Sequence, residues 1–181
     1  MAFEHLFSPI KIRGMELQNR VVFPAMGTKM ADDQGFVTQK LIDYHVARAR
    51  GGNGLNMIEV TCVHGPSAAR PFLGIYDDKF IPGFKKLCDA VHAAGAKVGI
   101  QLWQGGIAVA SYPGAMIIVP SDIPIAGTDQ VIPGASVETI QEVVEAFGQA
   151  ARRAAEAGFD CIEFHAAHNY SPHAFLSPAF N

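Results

Sequence analysis

Three side chains that could stabilise an anionic oxygen or transfer a proton stand close together near the end of the chain. They are His165, His168 and Tyr170, and they follow the apolar run 159–164, which has the composition of a buried strand. In α/β barrels the catalytic residues come from strand ends and from the loops that follow them. One histidine in such a place is more often a hydrogen-bonded structural residue. Three titratable groups after a single strand favour a functional site.

Alternating strands and helices precede this segment, and they are the elements that must position it. A hairpin is predicted over residues 6–20, with Arg13 and Gly14 as its turn. Thr38 and Ser136 are suited to cap two helices. Each later strand is apolar on both faces, which is typical of a parallel sheet covered by helices. The predicted strands are residues 21–23, 55–61, 97–103 and 159–164, and the predicted helices are residues 39–50, 81–94 and 137–157.

Four strands do not complete an eight-stranded α/β barrel, which needs about 250 residues. A doubly wound sheet would fit into 181 residues, but it normally carries a Gly-rich phosphate loop after its first strand. Gly27 stands alone at that point, and the Gly-rich run 51–54 ends a helix instead of starting one. The long segment 104–135 is rich in Pro and Gly, and a loop of that length is usually functional.

The composition excludes several classes of protein. The net charge is −3 and the basic residues are scattered, so neither a nucleic-acid nor an anionic-membrane surface is expected. Three widely spaced cysteines indicate neither a disulfide framework nor a zinc motif, and they favour a reducing, cytoplasmic location. The first residues lack the features of a signal peptide. No apolar run is long enough to span a membrane.

Four stretches of the chain resemble the old yellow enzyme family of FMN-dependent ene-reductases. The closer resemblance is to its bacterial branch of NADH:flavin oxidoreductases and 2,4-dienoyl-CoA reductases. The last stretch, which contains the two histidines and the tyrosine, is the longest and the most specific. Together the four are similar to only the first half of the family's barrel. The stretches are residues 17–28, 58–61, 101–106 and 157–181.

This resemblance implies an α/β fold that is the first half of a (β/α)8 TIM barrel with an N-terminal β-hairpin. Residues 1–181 would form one partial FMN-binding domain, with strands 1–4 of the barrel and without its C-terminal half. Gln101 would pair with the flavin pyrimidine, and Val60 would offer its backbone to the cofactor. The residues that would lie against the flavin ring are Pro24, Ala25, Met26 and Gly27.

The resemblance also implies the reaction. The family reduces activated C=C bonds, of the enone or enoyl-thioester type, with FMN and with electrons from NADH or NADPH. His165 and His168 would hold the substrate carbonyl oxygen, because two N–H donors can stabilise the charge that builds up there. Tyr170 would give a proton to the substrate carbon. The expected partner is therefore a small-molecule alkene.

Three departures from the family pattern fall inside or directly beside these stretches. Gly27 stands where relatives often have Cys, Thr or His. Gln104 and Ile107 replace the usual His and Arg of the third stretch, and Asn169 replaces the usual Gly before the tyrosine. We expect these changes to alter the substrate preference without removing the chemistry.

Two other interpretations stay open. In a metal-dependent barrel hydrolase, His165, His168, His173 and Glu163 could be ligands, although a His-x-x-His pair across a strand end is weak evidence for a metal. A truncated or split half-barrel could instead lack activity of its own. Its first and fourth strands would expose backbone groups and apolar faces, and such edges favour homo-oligomers or aggregation.

Overall fold

The computed structural model describes residues 3–181, and its first regular element is a hairpin. Strand β1 (Ile10–Ile12) pairs antiparallel with strand β2 (Met15–Leu17), as the sequence predicted. Leu17 is buried and belongs to the same apolar cluster as Met57 of the main sheet. The elements that follow are, in chain order, β3 (Val22–Phe23), α1 (Gln39–Arg50), β4 (Leu55–Cys62), β5 (Leu73–Gly74), α2 (Ile81–Ala93), β6 (Lys97–Trp103), β7 (Ile123–Pro124), β8 (Val131–Ile132), α3 (Val137–Ala157), β9 (Cys161–Phe164) and α4 (Ser171–Leu176).

The main sheet has the topology of the first half of an α/β barrel. Its strands run in the order β3-β4-β6-β9, which is also their order in the chain, and every neighbouring pair is parallel. Helix α1 connects β3 to β4, α2 lies between β4 and β6, and α3 lies between β6 and β9. This alternation of strand and helix confirms the predicted half-barrel with its hairpin.

Side-chain caps set the helix ends where the sequence predicted them. The Thr38 hydroxyl accepts a hydrogen bond from the Leu41 amide at 3.2 Å, at the start of α1. The Ser136 hydroxyl accepts from the Thr139 amide at 3.2 Å, at the start of α3. Each bond satisfies a donor that has no partner within its own helix.

One continuous apolar core fills the space between the sheet and the three long helices. Ile58 of β4 and Ile100 of β6 contribute from the sheet, and Phe84 of α2 and Ala154 of α3 contribute from the helices. Burial of this apolar area is the main force that holds the helices against the strands. No helix within residues 3–181 is long and apolar enough to cross a membrane.

Three predictions about local structure are wrong. The run 159–164 was predicted to be a buried strand, but Ile162 and Phe164 are 44% and 55% exposed. The reason is that β9 pairs with β6 on one side and, within the described chain, has no strand on the other. The stretch around Leu73–Gly74 was not among the predicted strands, yet it forms β5, which pairs parallel with the end of β4. The segment 104–135 was predicted to be a loop, yet it contains the antiparallel pair β7 and β8.

Candidate active site

An open cleft of about 490 Å³ lies at the C-terminal ends of the parallel strands. Each of the four strands supplies at least one residue to its lining, either from its last positions or from the loop that follows. The structure therefore brings together six of the nine residues that the sequence predicted for the site. These six are Ala25, Gly27, Val60, Gln101, His165 and His168, and Glu163, Phe164, Ala166 and Ala167 complete the lining.

Pro24 and Met26 lie in the same loop after β3 as two of the lining residues, but they do not line the cleft. Both are exposed, and 54% of Met26 is accessible to solvent. A contact between either residue and a cofactor stays a prediction. The small residues Ala25 and Gly27 alternate with them in this loop, and it is these small residues that line the cleft.

A buried carboxylate holds this loop in place, and the sequence analysis did not find it. Glu59 lies at a β-bulge, since the pairing of β4 with β6 shifts by one residue between Ile58 and Val60. The side chain of Glu59 is fully buried and accepts a hydrogen bond from the amide of Thr28. Burial raises the pKa of Glu59, while the hydrogen bonds from Thr28 act in the opposite direction. A one-residue bulge leaves no mark in the apolar pattern of a strand that is buried on both faces.

Gln101 is held by a carboxylate on the neighbouring strand. The two residues are register partners in β6 and β9, and Nε2 of Gln101 donates a hydrogen bond to Oε1 of Glu163 at 2.6 Å. With one amide hydrogen bound in this way, the carbonyl oxygen and the second N–H of Gln101 remain for a ligand. Glu163 was considered in the sequence only as a possible metal ligand.

The two histidines and the tyrosine form a compact aromatic cluster at the mouth of the cleft. The ring centroids of His165 and Tyr170 are 4.7 Å apart, those of His165 and His168 are 5.6 Å apart, and those of His168 and Tyr170 are 6.1 Å apart. The edge of Tyr170 also meets the indole of Trp103, at 5.3 Å between centroids. The predicted catalytic residues are therefore neighbours in space.

The backbone between the second histidine and the tyrosine is left-handed at two successive residues. His168 has φ +56° and Asn169 has φ +60°. Asn tolerates this conformation better than most non-glycine residues, so it can replace the glycine that the family usually has there. The Asn169 amide also donates to Nδ1 of His173 at 2.9 Å, which occupies that ring nitrogen within the loop itself.

The protonation state of His165 follows from its surroundings. Partial burial lowers the pKa of His165, the charge of His168 lowers it further, and the carboxylate of Glu163 raises it. The neutral imidazole is thus favoured near pH 7. A neutral imidazole still has one N–H to donate to an oxygen ligand.

No group of three or more His, Cys, Asp or Glu side chains in the described part of the chain is arranged to hold a metal ion. Two of the four ligands considered for a hydrolase have other hydrogen-bond partners. Glu163 accepts a hydrogen bond from Gln101, and His173 accepts one from the backbone amide of Asn169.

Comparison with known proteins identifies the family. The family model described as NADH:flavin oxidoreductase / NADH oxidase matches residues 5–181. The chain belongs to this family. Membership confirms the resemblance seen in the sequence, and it overturns the hydrolase interpretation.

Curated relatives of the family match almost all of this chain. An NADPH dehydrogenase of Listeria monocytogenes is 42% identical over 178 residues, which are 97% of this chain and 52% of the relative. An NADH oxidase of Thermoanaerobacter brockii is 38% identical over 183 residues, or 99% of this chain and 28% of the relative. The chain thus spans about half the length of the NADPH dehydrogenases that it matches.

Solved structures of the family share the fold. The old yellow enzyme of Pichia sp. superposes with a TM-score of 0.86 at 27% identity, covering 96% of this chain and 49% of the other. Morphinone reductase in complex with tetrahydroNAD gives a TM-score of 0.82 at 28% identity, covering 97% of this chain and 53% of the other. This coverage confirms that the four-stranded sheet is half of such a barrel.

The cleft suits the ring of a flavin better than its phosphate. Its floor carries small side chains, and a side-chain carbon built onto Gly27 would meet no atom within 4 Å, so a flat ring has room there. Gln101 presents an amide that matches the donors and acceptors of a pyrimidine edge. Among residues 3–181, no Lys or Arg side chain lines the cleft.

Proposed function

We propose that this chain belongs to an FMN-dependent oxidoreductase that reduces activated C=C bonds of the enone or enoyl-thioester type, with electrons from NADH or NADPH. The observation that carries the proposal is the cluster of His165, His168 and Tyr170 at the mouth of a cleft floored by Gln101 and small residues. Related proteins support both nicotinamide donors, because one is named an NADPH dehydrogenase and another an NADH oxidase.

The proposed cofactor contacts follow the strand ends. Gln101 would bind the pyrimidine edge of the flavin, with its amide oriented by Glu163. Ala25, Gly27 and Val60 line the space that the ring would occupy. Pro24 and Met26, which are exposed in the same loop, would contact the cofactor from the side of β3. FMN, when bound, supplies the hydride that the reaction needs.

The proposed roles of the catalytic residues follow from their donors. The neutral imidazole of His165 and the adjacent imidazole of His168 would each donate an N–H to the substrate carbonyl oxygen, where negative charge develops. The phenol of Tyr170, next to His165, would donate a proton to the α-carbon of the alkene. Stabilisation of the carbonyl oxygen and protonation of the α-carbon thus use the two imidazole N–H groups and the phenol O–H of this chain.

We also propose that residues 1–181 act as one partial FMN-binding barrel domain. Cys62, Cys88 and Cys161 are free thiols, which supports a reducing compartment such as the cytoplasm. Burial raises the pKa of Cys62 and of Cys88 to about 12, so neither thiol is a reactive nucleophile.

The sheet edges support a homo-oligomer as the state of this chain by itself. Within the described residues, β3 pairs only with β4 and β9 pairs only with β6, and Val22, Ile162 and Phe164 expose apolar surface there. A second copy could place its β3 beside β9, with the strands parallel. Light scattering should show a species larger than a monomer, and Ile162→Lys should shift it toward the monomer. A monodisperse monomer of the unchanged chain would contradict this association.

The decisive experiment is the visible spectrum of the purified chain with and without added FMN. Because no Lys or Arg side chain of the described residues lines the cleft to hold the phosphate, FMN should bind weakly, and gel filtration is therefore run in buffer that contains FMN. Flavin absorption should then accompany the protein, NADH or NADPH should bleach it without air, and an enone such as 2-cyclohexenone should restore it. The Tyr170→Phe and His165→Ala variants provide matched comparisons for the last step. If saturating FMN gives no protein-bound flavin, the proposal for this chain fails.

A further inference from the structure

A buried polar cluster lies directly behind the tyrosine of the site. Gln104, at the start of the long segment after β6, is only 2% exposed, and Ser171, the first residue of α4, is only 3% exposed. The two residues are 67 positions apart in the chain, and their backbones also meet, because the Ser171 amide donates to the Gln104 carbonyl oxygen at 3.2 Å. This cluster joins the loop after β6 to the loop after β9.

The side chains of this cluster share their hydrogen bonds. Oε1 of Gln104 accepts from the Gly106 amide at 2.9 Å and from the Ser171 hydroxyl. That hydroxyl also lies 2.6 Å from the carbonyl oxygen of Ile118. A hydroxyl has one hydrogen, so Ser171 divides it between two acceptors on the same long segment. Loss of either side chain leaves buried polar groups without partners, which destabilises the contact between the two loops.

Close backbone packing reinforces the cluster. Gly106 has φ +56°, and a side-chain carbon built onto it would lie 2.9 Å from the Ser171 nitrogen and 3.3 Å from the carbonyl carbon of Tyr170. The peptide bond between Tyr170 and Ser171 therefore packs directly against the backbone of Gly106. Only a residue without a side chain allows this approach.

On its N-terminal side, the backbone of Tyr170 is held by an exposed turn. Its amide donates to the Ala167 carbonyl oxygen at 3.1 Å, and that turn contains the exposed residues His168 and Asn169. The ring meets Trp103 and His165 by its edges and has no hydrogen bond to another side chain among the described residues. On its C-terminal side the backbone of Tyr170 is held by buried contacts, because Ser171 binds Gln104 and the Ala174 amide donates to the Tyr170 carbonyl oxygen at 2.9 Å.

We propose that Gln104 and Ser171 are positioning residues that hold Tyr170 against Trp103 and His165, and that they couple the tyrosine to the long segment 104–135 through the Ile118 carbonyl. This inference rests on the proposed function for the role of Tyr170, but the positioning itself does not depend on a flavin. Gln104 departs from the family's usual His, and in this chain its side chain binds Gly106 and Ser171 behind the tyrosine.

Trp103 reports on this positioning without any cofactor. It is the only tryptophan of the chain, and its ring touches that of Tyr170. Near-ultraviolet circular dichroism of the full chain, compared with that of Tyr170→Leu, defines the part of the tryptophan signal that depends on the contact. Ser171→Ala should lose at least half of that part, while Ser171→Thr, which keeps the hydroxyl, should retain most of it. Ser177→Ala, a control just after the same helix, should leave the signal unchanged.

Gln104→Met gives a second test, because it keeps the side-chain length but removes the acceptor. It should change the tryptophan signal in the same direction as Ser171→Ala. If Gln104→Met does not fold, Ser171→Ala decides alone, with far-ultraviolet dichroism showing that the fold is intact. An unchanged signal in folded Ser171→Ala would overturn the positioning role.

Activity separates this inference from the proposed function. In flavin-loaded protein, Ser171→Ala should slow reoxidation by an enone about tenfold, leave reduction by NADH or NADPH unchanged, and be rescued by Ser171→Thr. If the tryptophan signal responds while the unchanged protein reduces no alkene, the proposed function fails and the positioning stands. If the unchanged protein is active but Ser171→Ala affects neither the signal nor the rate, the positioning fails and the function stands.

Discussion

Nε2 of Gln101 donates a 2.6 Å hydrogen bond to Oε1 of Glu163, across two neighbouring parallel strands. The bond fixes which end of the amide is occupied by the protein and which end faces the cleft. A carboxylate can only accept at this position, so the amide nitrogen must turn toward it. A side-chain amide at the position of Glu163 could either donate or accept, and would leave the orientation of Gln101 undetermined.

Glu163→Gln should therefore weaken FMN binding by about three- to tenfold. The reason is that a charge-assisted hydrogen bond stabilises the binding orientation of Gln101 by roughly 1 kcal/mol more than a neutral one. Titration of the chain with FMN, followed by flavin fluorescence, measures the change. Glu145→Gln on the exposed side of α3 removes the same charge far from the cleft and should bind FMN normally. Equal affinity in both variants would show that Glu163 does not orient Gln101.

Tyr170→Phe should separate the two halves of the catalytic cycle. If the phenol is the general acid, its loss should slow the oxidation of reduced flavin by an enone by roughly 10²–10⁴-fold. Reduction of the flavin by NADH or NADPH needs no proton from Tyr170, so its rate should change little. Stopped-flow absorbance of the flavin follows each half-reaction alone. A similar loss in both, or in neither, would remove Tyr170 from this role.

The histidine pair should control the binding of phenols in the flavin-loaded protein. Both imidazoles lie at the mouth of the cleft, and two N–H donors match one phenolate oxygen. The unchanged protein should give a long-wavelength charge-transfer band with a substituted phenol, and the double variant His165→Ala with His168→Ala should abolish it. His92→Ala, at the opposite end of the sheet, is the control. A band of unchanged affinity in the double variant would place the oxyanion site elsewhere.

The strand and helix pattern could be predicted well because its signals are local. Thr38 and Ser136 cap helices at the predicted residues, and β6 has the predicted bounds, since caps and apolar runs act within a few residues. That His165, His168 and Tyr170 would lie near one another was also predictable, because they follow one strand within six residues.

The supporting residues could not be predicted, because they depend on contacts between distant parts of the chain. Gln101 meets Glu163 only through the register of β6 and β9. Glu59 reaches Thr28 through a bulge that has no sequence signal. The exposure of β9 likewise depends on its neighbours in space, since its apolar composition is that of a strand covered on both sides.

Acid should destabilise the fold through a buried histidine outside the cleft. Burial lowers the pKa of His45 to about 4, the hydrogen bond from its ring to Asn56 opposes this, and the charge of Arg48 adds to it. Because the folded pKa lies below the unfolded one, the stabilisation is fully present above about pH 6.5 and is lost as the pH falls toward 4.

Urea unfolding at pH 7 and pH 5 tests this dependence. Between these two values His45 should contribute a loss of about 2 kcal/mol in the free energy of unfolding, as the linkage relation gives for such a pKa difference. His45→Gln, which does not titrate, should lose correspondingly less over the same interval, although it is less stable at pH 7. Parallel pH dependence in the two proteins would show that His45 titrates normally in the folded state.

Gly106 is the position where a single methyl group should disturb both stability and the site. An alanine there would have to adopt the left-handed φ of +56°, and its methyl group would overlap the Ser171 nitrogen, which is backbone and cannot rotate away. Gly106→Ala should therefore lower the free energy of unfolding by about 1–3 kcal/mol and shift the near-ultraviolet signal of Trp103.

Gly148→Ala is the matched control, because Gly148 lies inside α3 with no atom within 4 Å of the added carbon. This change should stabilise the chain by about 0.5–1 kcal/mol. Urea midpoints and dichroism of both variants decide the matter, and a Gly106→Ala protein as stable as the unchanged chain would mean that the loops after β6 and β9 are not in tight contact.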